Sequence, residues 1–202
     1  MGVKRIYLDL DDVLVDFRTA ACELLDADPT ETYQLCCEKS VWDIPAALGV
    51  SSSLLWGKIN AKGVSFWTSL KKHTYAEELI NLVSRANRLF KSGSSEDASK
   101  QNDVYILTNP GIDPDLYATI GKLTWMKGHF GPRYTNGIVL KDKWHLSAPG
   151  RVLIDDHPEN CEEWEKHGGT AILFPGPAGN RQHVGREIEF VRNKLFELML
   201  GK

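Results

Sequence analysis

The amino-acid sequence predicts an α/β protein with a Rossmann-like parallel sheet that is covered by helices on both faces. Three short apolar runs, at residues 6–8, 104–107 and 152–154, contain β-branched side chains and have the length of buried strands. Longer segments with apolar residues at helical spacing lie between these runs. Strands that alternate with helices indicate a parallel sheet, because each parallel return of the chain needs a crossover connection.

The segment after the first strand, residues 17–73, differs in character from the rest of the chain. It is helical in pattern, rich in Trp and Cys, and interrupted by turn residues such as Pro45 and Gly49. We therefore predict a small helical cap over residues 17–73, inserted into an α/β core that comprises residues 1–16 and 74–202. Apolar residues at helical spacing from Ala76 to Phe90 mark the return to the core.

The remaining elements follow in alternation. Residues 92–103 are almost free of apolar side chains and predict a solvated loop. Asp113 and Pro114 are the residue types that begin a helix, as its cap and its first residue. Two more strands are predicted at residues 137–140 and 171–174, and two more helices at residues 159–167 and 186–200.

Composition narrows the class of protein. At 202 residues the chain can bury a core of its own, and its formal net charge of -3 argues against nucleic acid or an anionic membrane as a partner. No apolar run reaches the roughly 18 residues that span a bilayer. The four cysteines show no CxxC spacing, and the first residues lead into a strand without a signal-peptide pattern. We expect reduced thiols and a cytoplasmic enzyme, and the sequence allows a homodimer.

Polar residues follow four of the apolar runs, and they carry the candidate chemistry. Ligands of open α/β sheets bind at the carboxyl ends of the strands, so these residues are expected to meet at one edge. They are residues 9–12, 108–109, 143 and 155–156.

Two acidic pairs predict a metal site. Asp9 and Asp11 are two residues apart, so their side chains share one face if the chain is extended there. Carboxylates this close repel each other unless a cation or a proton intervenes, and Mg²⁺ takes oxygen ligands while keeping positions for water and phosphate. Asp155 and Asp156 could close the metal shell. The alternatives are an acidic turn at the first pair and a helix cap at Asp156.

Phosphate ligands are predicted beside the acidic pairs. Thr108 offers a hydroxyl, Asn109 an amide or a backbone donor, and Lys143 a charge that can hold both a phosphate and an attacking carboxylate. An exposed turn at residues 141–143 is the alternative for Lys143. Taken together, the segments predict magnesium-dependent phosphoryl transfer.

In this order, the residues resemble the haloacid dehalogenase superfamily of phosphohydrolases, and the resemblance covers the whole core. It implies that Asp9 attacks phosphorus and forms an aspartyl phosphate, a covalent route to hydrolysis. It also implies that Asp11 first protonates the leaving oxygen and then activates water. An acid at position 11 separates the phosphatases of this superfamily from its dehalogenases.

A narrower resemblance is to the 5'(3')-deoxyribonucleotidases. The motif at residues 9–17 looks like that of this family, in which an aromatic residue matching Phe17 stacks on the base. Lys122 matches a family lysine that contacts phosphate. The resemblance implies that the second residue of the later acidic pair, Asp156, binds metal together with Asp9 and the main-chain carbonyl of Asp11. Asp12 departs from the family pattern, which usually has Gly at this position.

The predicted function is magnesium-dependent hydrolysis of a small phosphomonoester, most simply as a 5'-nucleotidase acting on (deoxy)nucleoside monophosphates. Three cap aromatics, Trp42, Phe66 and Trp67, are expected to stack on the nucleobase, and core packing is their alternative role. A sugar phosphate or a polynucleotide 3'-phosphate is the alternative substrate. A phosphate- or nucleotide-binding module without turnover is the alternative from another functional class.

Overall fold

Five parallel strands form the centre of the protein in the order β3-β2-β1-β4-β5. They are β1 (Arg5–Leu8), β2 (Tyr105–Thr108), β3 (Gly137–Val139), β4 (Arg151–Asp155) and β5 (Thr170–Leu173). The computed structural model describes residues 3–91, 104–112, 116–131 and 136–201. The predicted loop at residues 92–103 and the predicted helix start at Asp113 and Pro114 lie outside these ranges. The predicted α/β class and its five strands are confirmed.

The strand order creates a switch point beside β1. The chain adds β2 and β3 on one side of β1 and then crosses to β4 and β5 on the other side. Leu8 at the end of β1 is paired with Ile106 of β2 and with Ile154 of β4, so three carboxyl ends lie side by side. Such a switch point leaves a crevice in which ligands of α/β proteins bind.

Helices cover the sheet, and they also make up most of the long segment after β1. Among the described residues, five helices, α1 to α5, lie between residues 17 and 68, and four more lie in the predicted core. The helices are α1 (Phe17–Leu24), α2 (Pro29–Lys39), α3 (Ile44–Leu48), α4 (Ser52–Lys62), α5 (Val64–Thr68), α6 (Ala76–Lys91), α7 (Tyr117–Phe130), α8 (Pro158–Lys166) and α9 (Glu187–Met199). No helix among the described residues is both long and apolar enough to cross a membrane.

Local sequence accounts for the helix starts after β1. The Asp28 carboxylate accepts hydrogen bonds from two backbone amides of the first turn of α2, at 2.9 and 2.8 Å, and Pro29 occupies the first helical position. Asp43 and Ser51 cap α3 and α4 in the same way. The helical prediction for this segment is confirmed. Its division from the core stays a prediction, since Phe17 and Leu55 share one hydrophobic cluster with Leu8.

Helix α7 approaches α5 closely because Gly121 has no side chain. A Cβ atom at Gly121 would lie 2.3 Å from the Cβ of Trp67 and 3.2 Å from the carbonyl oxygen of Val64. This close approach brings the next residue of α7, Lys122, over the ring of Trp67, with its Nζ 4.6 Å from the ring centroid.

Substitution of Gly121 by Ala is expected to lower the free energy of unfolding by about 1–3 kcal/mol, because the added methyl group overpacks the contact between α5 and α7. Gly128→Ala is the matched control on the same helix, since nothing lies within 4 Å of a Cβ there. It should stabilise the protein, by about 1 kcal/mol or less, through helix propensity alone. Urea denaturation of both variants measures the difference, and equal shifts of the same sign would contradict the close approach.

Candidate active site

A cavity of about 370 Å³ opens at the carboxyl ends of β1, β2 and β4. Acidic and basic side chains line its floor, and aromatic side chains from the segment after β1 line one wall. Its lining includes Asp9, Asp11, Phe17, Trp42, Trp56, Asn109, Gly111, Ile112, Lys122, Lys143, Asp156 and Asn160. Most of the residues predicted from the sequence are therefore brought together.

Lys143 connects the ends of the two central strands. Its Nζ donates to Oδ1 of Asp9 at 2.5 Å and to Oδ2 of Asp155 at 2.6 Å, and all three residues are buried. Asp9 follows β1 directly and extends its pairing with β4, because its amide donates to the carbonyl of Ile154 at 2.8 Å. Lys143 begins a 3-10 helix (Lys143–Leu146) that follows β3. The exposed turn considered for Lys143 is not what the structure shows.

The floor of the cavity holds more buried negative charge than Lys143 neutralises. Burial raises the pKa of Asp9 to about 7, and the charges of Asp155 and Asp11 add to this rise while Lys143 opposes it. Burial also raises the pKa of Asp156 well above its usual range, with Asp12, Asp155 and Asp9 contributing. Burial by itself disfavours the charged amine of Lys143, yet Asp155 and Asp9 outweigh it and raise the Lys143 pKa. This excess of carboxylate charge fits a bound cation.

Three carboxylates could hold that cation, since ligand atoms of Asp9, Asp155 and Asp156 all lie within 4.8 Å of one another. Asp155 is already engaged on both oxygens. Besides Lys143, it accepts hydrogen bonds from the amide of His157 at 2.9 Å and from Nδ2 of Asn160 at 3.1 and 3.2 Å. Asp9 and Asp156 are thus the side chains better placed for a metal ion, and the choice of Asp156 over Asp155, which the family resemblance implies, stays a prediction.

Lys122 forms the second basic position. Its side chain is buried, and its Nζ contacts Oδ2 of Asp11, the carbonyl of Asn109 at 2.6 Å and the hydroxyl of Thr108 at 3.2 Å. Thr108 is itself fully buried and lies beneath the cavity rather than on its wall. Asn109 lines the cavity, and its Oδ1 accepts from the amide of Gly111 at 2.7 Å.

The predicted aromatic residues divide into two groups. Phe17 and Trp42 line the cavity. Phe66 and Trp67 lie in the hydrophobic core, with 4 and 1% of their surface exposed, and Trp67 stacks on Phe17 at a centroid distance of 5.8 Å. Core packing, the alternative weighed for Phe66 and Trp67, is the arrangement observed for both.

Sequence reasoning missed Trp56 and Asn160, which both line the cavity. Trp56 lies on α4 and packs so closely against Gly111 that a Cβ there would be 2.8 Å from its ring. In the sequence it follows Leu54 and Leu55 and looks like a core residue. A signal for Asn160 was present, because it lies in the first turn of the helix that follows the acidic pair and its amide donates back to Asp155.

The structure shows how position 12 accommodates Asp where the family pattern usually has Gly. Asp12 has a φ of 54°, in the left-handed region that favours glycine. Asp tolerates this conformation better than most side chains. Its carboxylate also accepts from the Arg18 amide at 2.8 Å and from the guanidinium of Arg18 at 3.2 Å. These bonds hold the loop between β1 and α1.

Two curated relatives are similar to the chain over much of its length, whereas no protein-family model matches it. They are the mitochondrial 5'(3')-deoxyribonucleotidases of Mus musculus and Homo sapiens, each 29% identical to the chain. The mouse match covers 77% of this chain and 65% of the relative, and the human match covers 89 and 73%. The chain thus spans slightly less than two thirds of the mouse protein.

Solved structures share the fold at lower identity. A predicted phosphatase from Clostridium acetobutylicum has a TM-score of 0.57 at 12% identity, over 98% of this chain and 100% of that one. A HAD-family hydrolase from Deinococcus radiodurans R1, with bound phosphate and sodium, has a TM-score of 0.51 at 16% identity, over 98 and 96%. The chain is thus similar in sequence to 5'(3')-deoxyribonucleotidases, and it shares its fold with a HAD-family hydrolase and with a predicted phosphatase.

Lys143→Met is expected to lower the free energy of unfolding by about 3–5 kcal/mol at neutral pH, because it leaves the charges of Asp9 and Asp155 buried without their cation. The loss should be smaller at acidic pH, because burial raises the pKa of Asp9 to about 7 and a protonated Asp9 leaves less charge buried without a cation. Denaturation at both pH values measures it. Lys166→Met is the control, since Lys166 pairs with Glu163 on the exposed surface of α8 and should show no such loss. A pH-independent effect at Lys143 would contradict the electrostatic explanation.

Proposed function

We propose that the protein is a magnesium-dependent phosphomonoester hydrolase that acts through an aspartyl phosphate. The observation that carries this proposal is the Asp9 carboxylate, held by Lys143 on the floor of the cavity beside Asp156. A buried carboxylate that is oriented in this way and remains accessible from a cavity is suited to nucleophilic attack.

The proposed reaction has two steps. An oxygen of Asp9 attacks phosphorus, the bond from phosphorus to the leaving oxygen breaks, and Asp11 gives its proton to that oxygen. Water then attacks the phosphorus of the aspartyl phosphate and passes a proton to Asp11. This step releases inorganic phosphate and restores both carboxyl groups, so that one water is consumed for each ester cleaved.

The other residues of the cavity hold the phosphate. Lys143 and Lys122 bring positive charge to the phosphate oxygens, Asn109 offers an amide, and the Thr108 hydroxyl supports Lys122 from below. The side chains of Asp9 and Asp156, with the carbonyl of Asp11, would hold Mg²⁺. Such an ion would neutralise phosphate charge as the reaction proceeds. Positioning and electrostatic stabilisation supply most of the catalysis in this kind of chemistry.

Asp9→Asn should abolish magnesium-dependent phosphate release, because an amide is a far weaker nucleophile than a carboxylate, while the fold stays intact. The measurement is phosphate release from a panel of nucleoside monophosphates and sugar phosphates, with circular dichroism as the check on folding. Asp26→Asn is the matched control, because the side chain of Asp26 is 93% exposed. Full activity of Asp9→Asn would rule out the mechanism.

For the substrate we propose nucleoside monophosphates, including deoxynucleotides. The relatives are named for deoxyribonucleotide hydrolysis. The apolar part of the cavity wall, formed by Phe17, Trp56 and Ile112, is suited to the face of a base. A sugar phosphate, a polynucleotide 3'-phosphate and binding without turnover are the alternatives that the same panel separates. A cytoplasmic location and a homodimer stay predictions of the sequence.

Trp56→Ala is expected to raise KM for nucleoside monophosphates by about 5- to 150-fold, because stacking of one base on an aromatic side chain contributes about 1–3 kcal/mol. The KM for para-nitrophenyl phosphate or a sugar phosphate should change little, and this comparison is the internal control. A parallel loss on all substrates would show that Trp56 supports the fold and does not bind a base.

A further inference from the structure

Asp156 has one hydrogen-bond donor in the described part of the chain, and that donor is the Trp42 indole. Its Nε1 donates to Oδ2 of Asp156 at 2.6 Å across 114 residues of sequence. The other carboxylate oxygen of Asp156 receives no hydrogen bond from the described residues. That oxygen is free for a ligand.

The surroundings of Asp156 make this single bond important. The carboxylates of Asp9, Asp12 and Asp155 act on Asp156 as like charges. Among the described residues, two cations lie nearby, and both are engaged elsewhere. The guanidinium of Arg18 donates to Asp12 at 3.2 Å and to Sγ of Cys36 at 3.5 Å, and Lys143 donates to Asp9 and Asp155. Without the indole, repulsion from its neighbours would favour other orientations of the Asp156 side chain.

Trp42 is itself held from two sides. Its ring packs against His157, which follows Asp156 directly, with centroids 4.4 Å apart. Arg181 connects the chain just before Trp42 to the segment after β5. It donates to Oγ of Ser40 at 2.9 Å and to the carbonyl of Pro177 at 2.6 Å. The indole is therefore placed by contacts that do not involve the carboxylate.

We propose that Trp42 is a positioning residue for the metal site, whose indole N–H holds one oxygen of Asp156 so that the other faces the cation. This role differs from base stacking, the function expected from the sequence, and it links the helical segment after β1 to the metal. The inference rests on the proposed function, since it requires a magnesium ion at Asp9 and Asp156.

The direct test is calorimetric titration of the whole protein with MgCl₂. Trp42→Phe keeps a ring beside His157 but removes the donor, and its Kd for Mg²⁺ should rise by about 10- to 100-fold, the range for loss of a partner to a metal ligand. Trp125→Phe is the matched control, because it also removes an indole N–H, one that donates to the carbonyl of Leu70 at 2.8 Å. It should leave the Kd unchanged.

The outcomes separate the inference from the proposed function. If the wild type binds Mg²⁺, Asp156→Ala abolishes binding and Trp42→Phe binds like the wild type, the inference is overturned and the proposed function stands. If the wild type shows no Mg²⁺ binding that depends on Asp156, the proposed metal site is wrong and the inference falls with it.

Kinetics distinguish positioning from stacking. For a positioning role, Trp42→Phe lowers kcat at limiting Mg²⁺, excess Mg²⁺ restores it, and KM for the nucleotide is unchanged. A raised nucleotide KM at every Mg²⁺ concentration would instead assign Trp42 to the base and overturn the inference.

A measurement on the wild type keeps the test available if Trp42→Phe does not fold. The sequence has six tryptophans, so the indole N–H signal of Trp42 must first be assigned in a ¹⁵N NMR spectrum. It is the indole signal that differs between the wild type and Asp156→Asn when no metal is present. That signal should shift on addition of MgCl₂. An unchanged signal at saturating Mg²⁺ would overturn the inference.

Discussion

The bridge from Lys143 to Asp9 and Asp155 is the interaction on which the site depends. Parallel pairing brings the ends of β1 and β4 together, and each of these strands is followed by acidic residues. Without a cation between them, buried carboxylates at such distances would repel one another unless they bound protons. Lys143 supplies one positive charge to the two strands, and the carboxylate charge that remains unbalanced fits the metal ion that we propose for this edge.

The helices after β1 complete the site from the opposite side. They supply the apolar wall through Phe17 and Trp56, while Trp67 packs behind Phe17 and beneath Lys122. The absence of a side chain at Gly121 allows this stacking, since it lets α7 reach α5. One set of aromatic contacts thus forms the cavity wall and also positions a basic group on its floor.

The loop after β1 shows how local strain is supported by the surrounding contacts. Asp12 adopts a left-handed backbone conformation, and its carboxylate is bonded twice to Arg18. The same Arg18 side chain is buried between the helical segment and the floor of the site. The Asp12 side chain therefore adds hydrogen bonds between the loop and α1 that glycine could not form.

By itself, the sequence determined the sheet, its parallel direction and the polar residues at its carboxyl edge. These follow from short-range rules, because an apolar run of a given length forms a strand and the residue after it lies at the strand end. Asp9, Asp11, Lys143 and Asp156 could be found in this way, and the family resemblance added Lys122. Only the tertiary structure decided which aromatic residues face the cavity. Trp42 and Trp56 reach it whereas Phe66 and Trp67 do not, because the direction of a side chain depends on how its helix packs. Only the tertiary structure also decided the hydrogen-bond partners of the second acidic pair. Asp155 accepts from Lys143 and Asn160, and Asp156 accepts from Trp42. The sequence does not show these pairs, because Lys143 and Trp42 come from other segments of the fold.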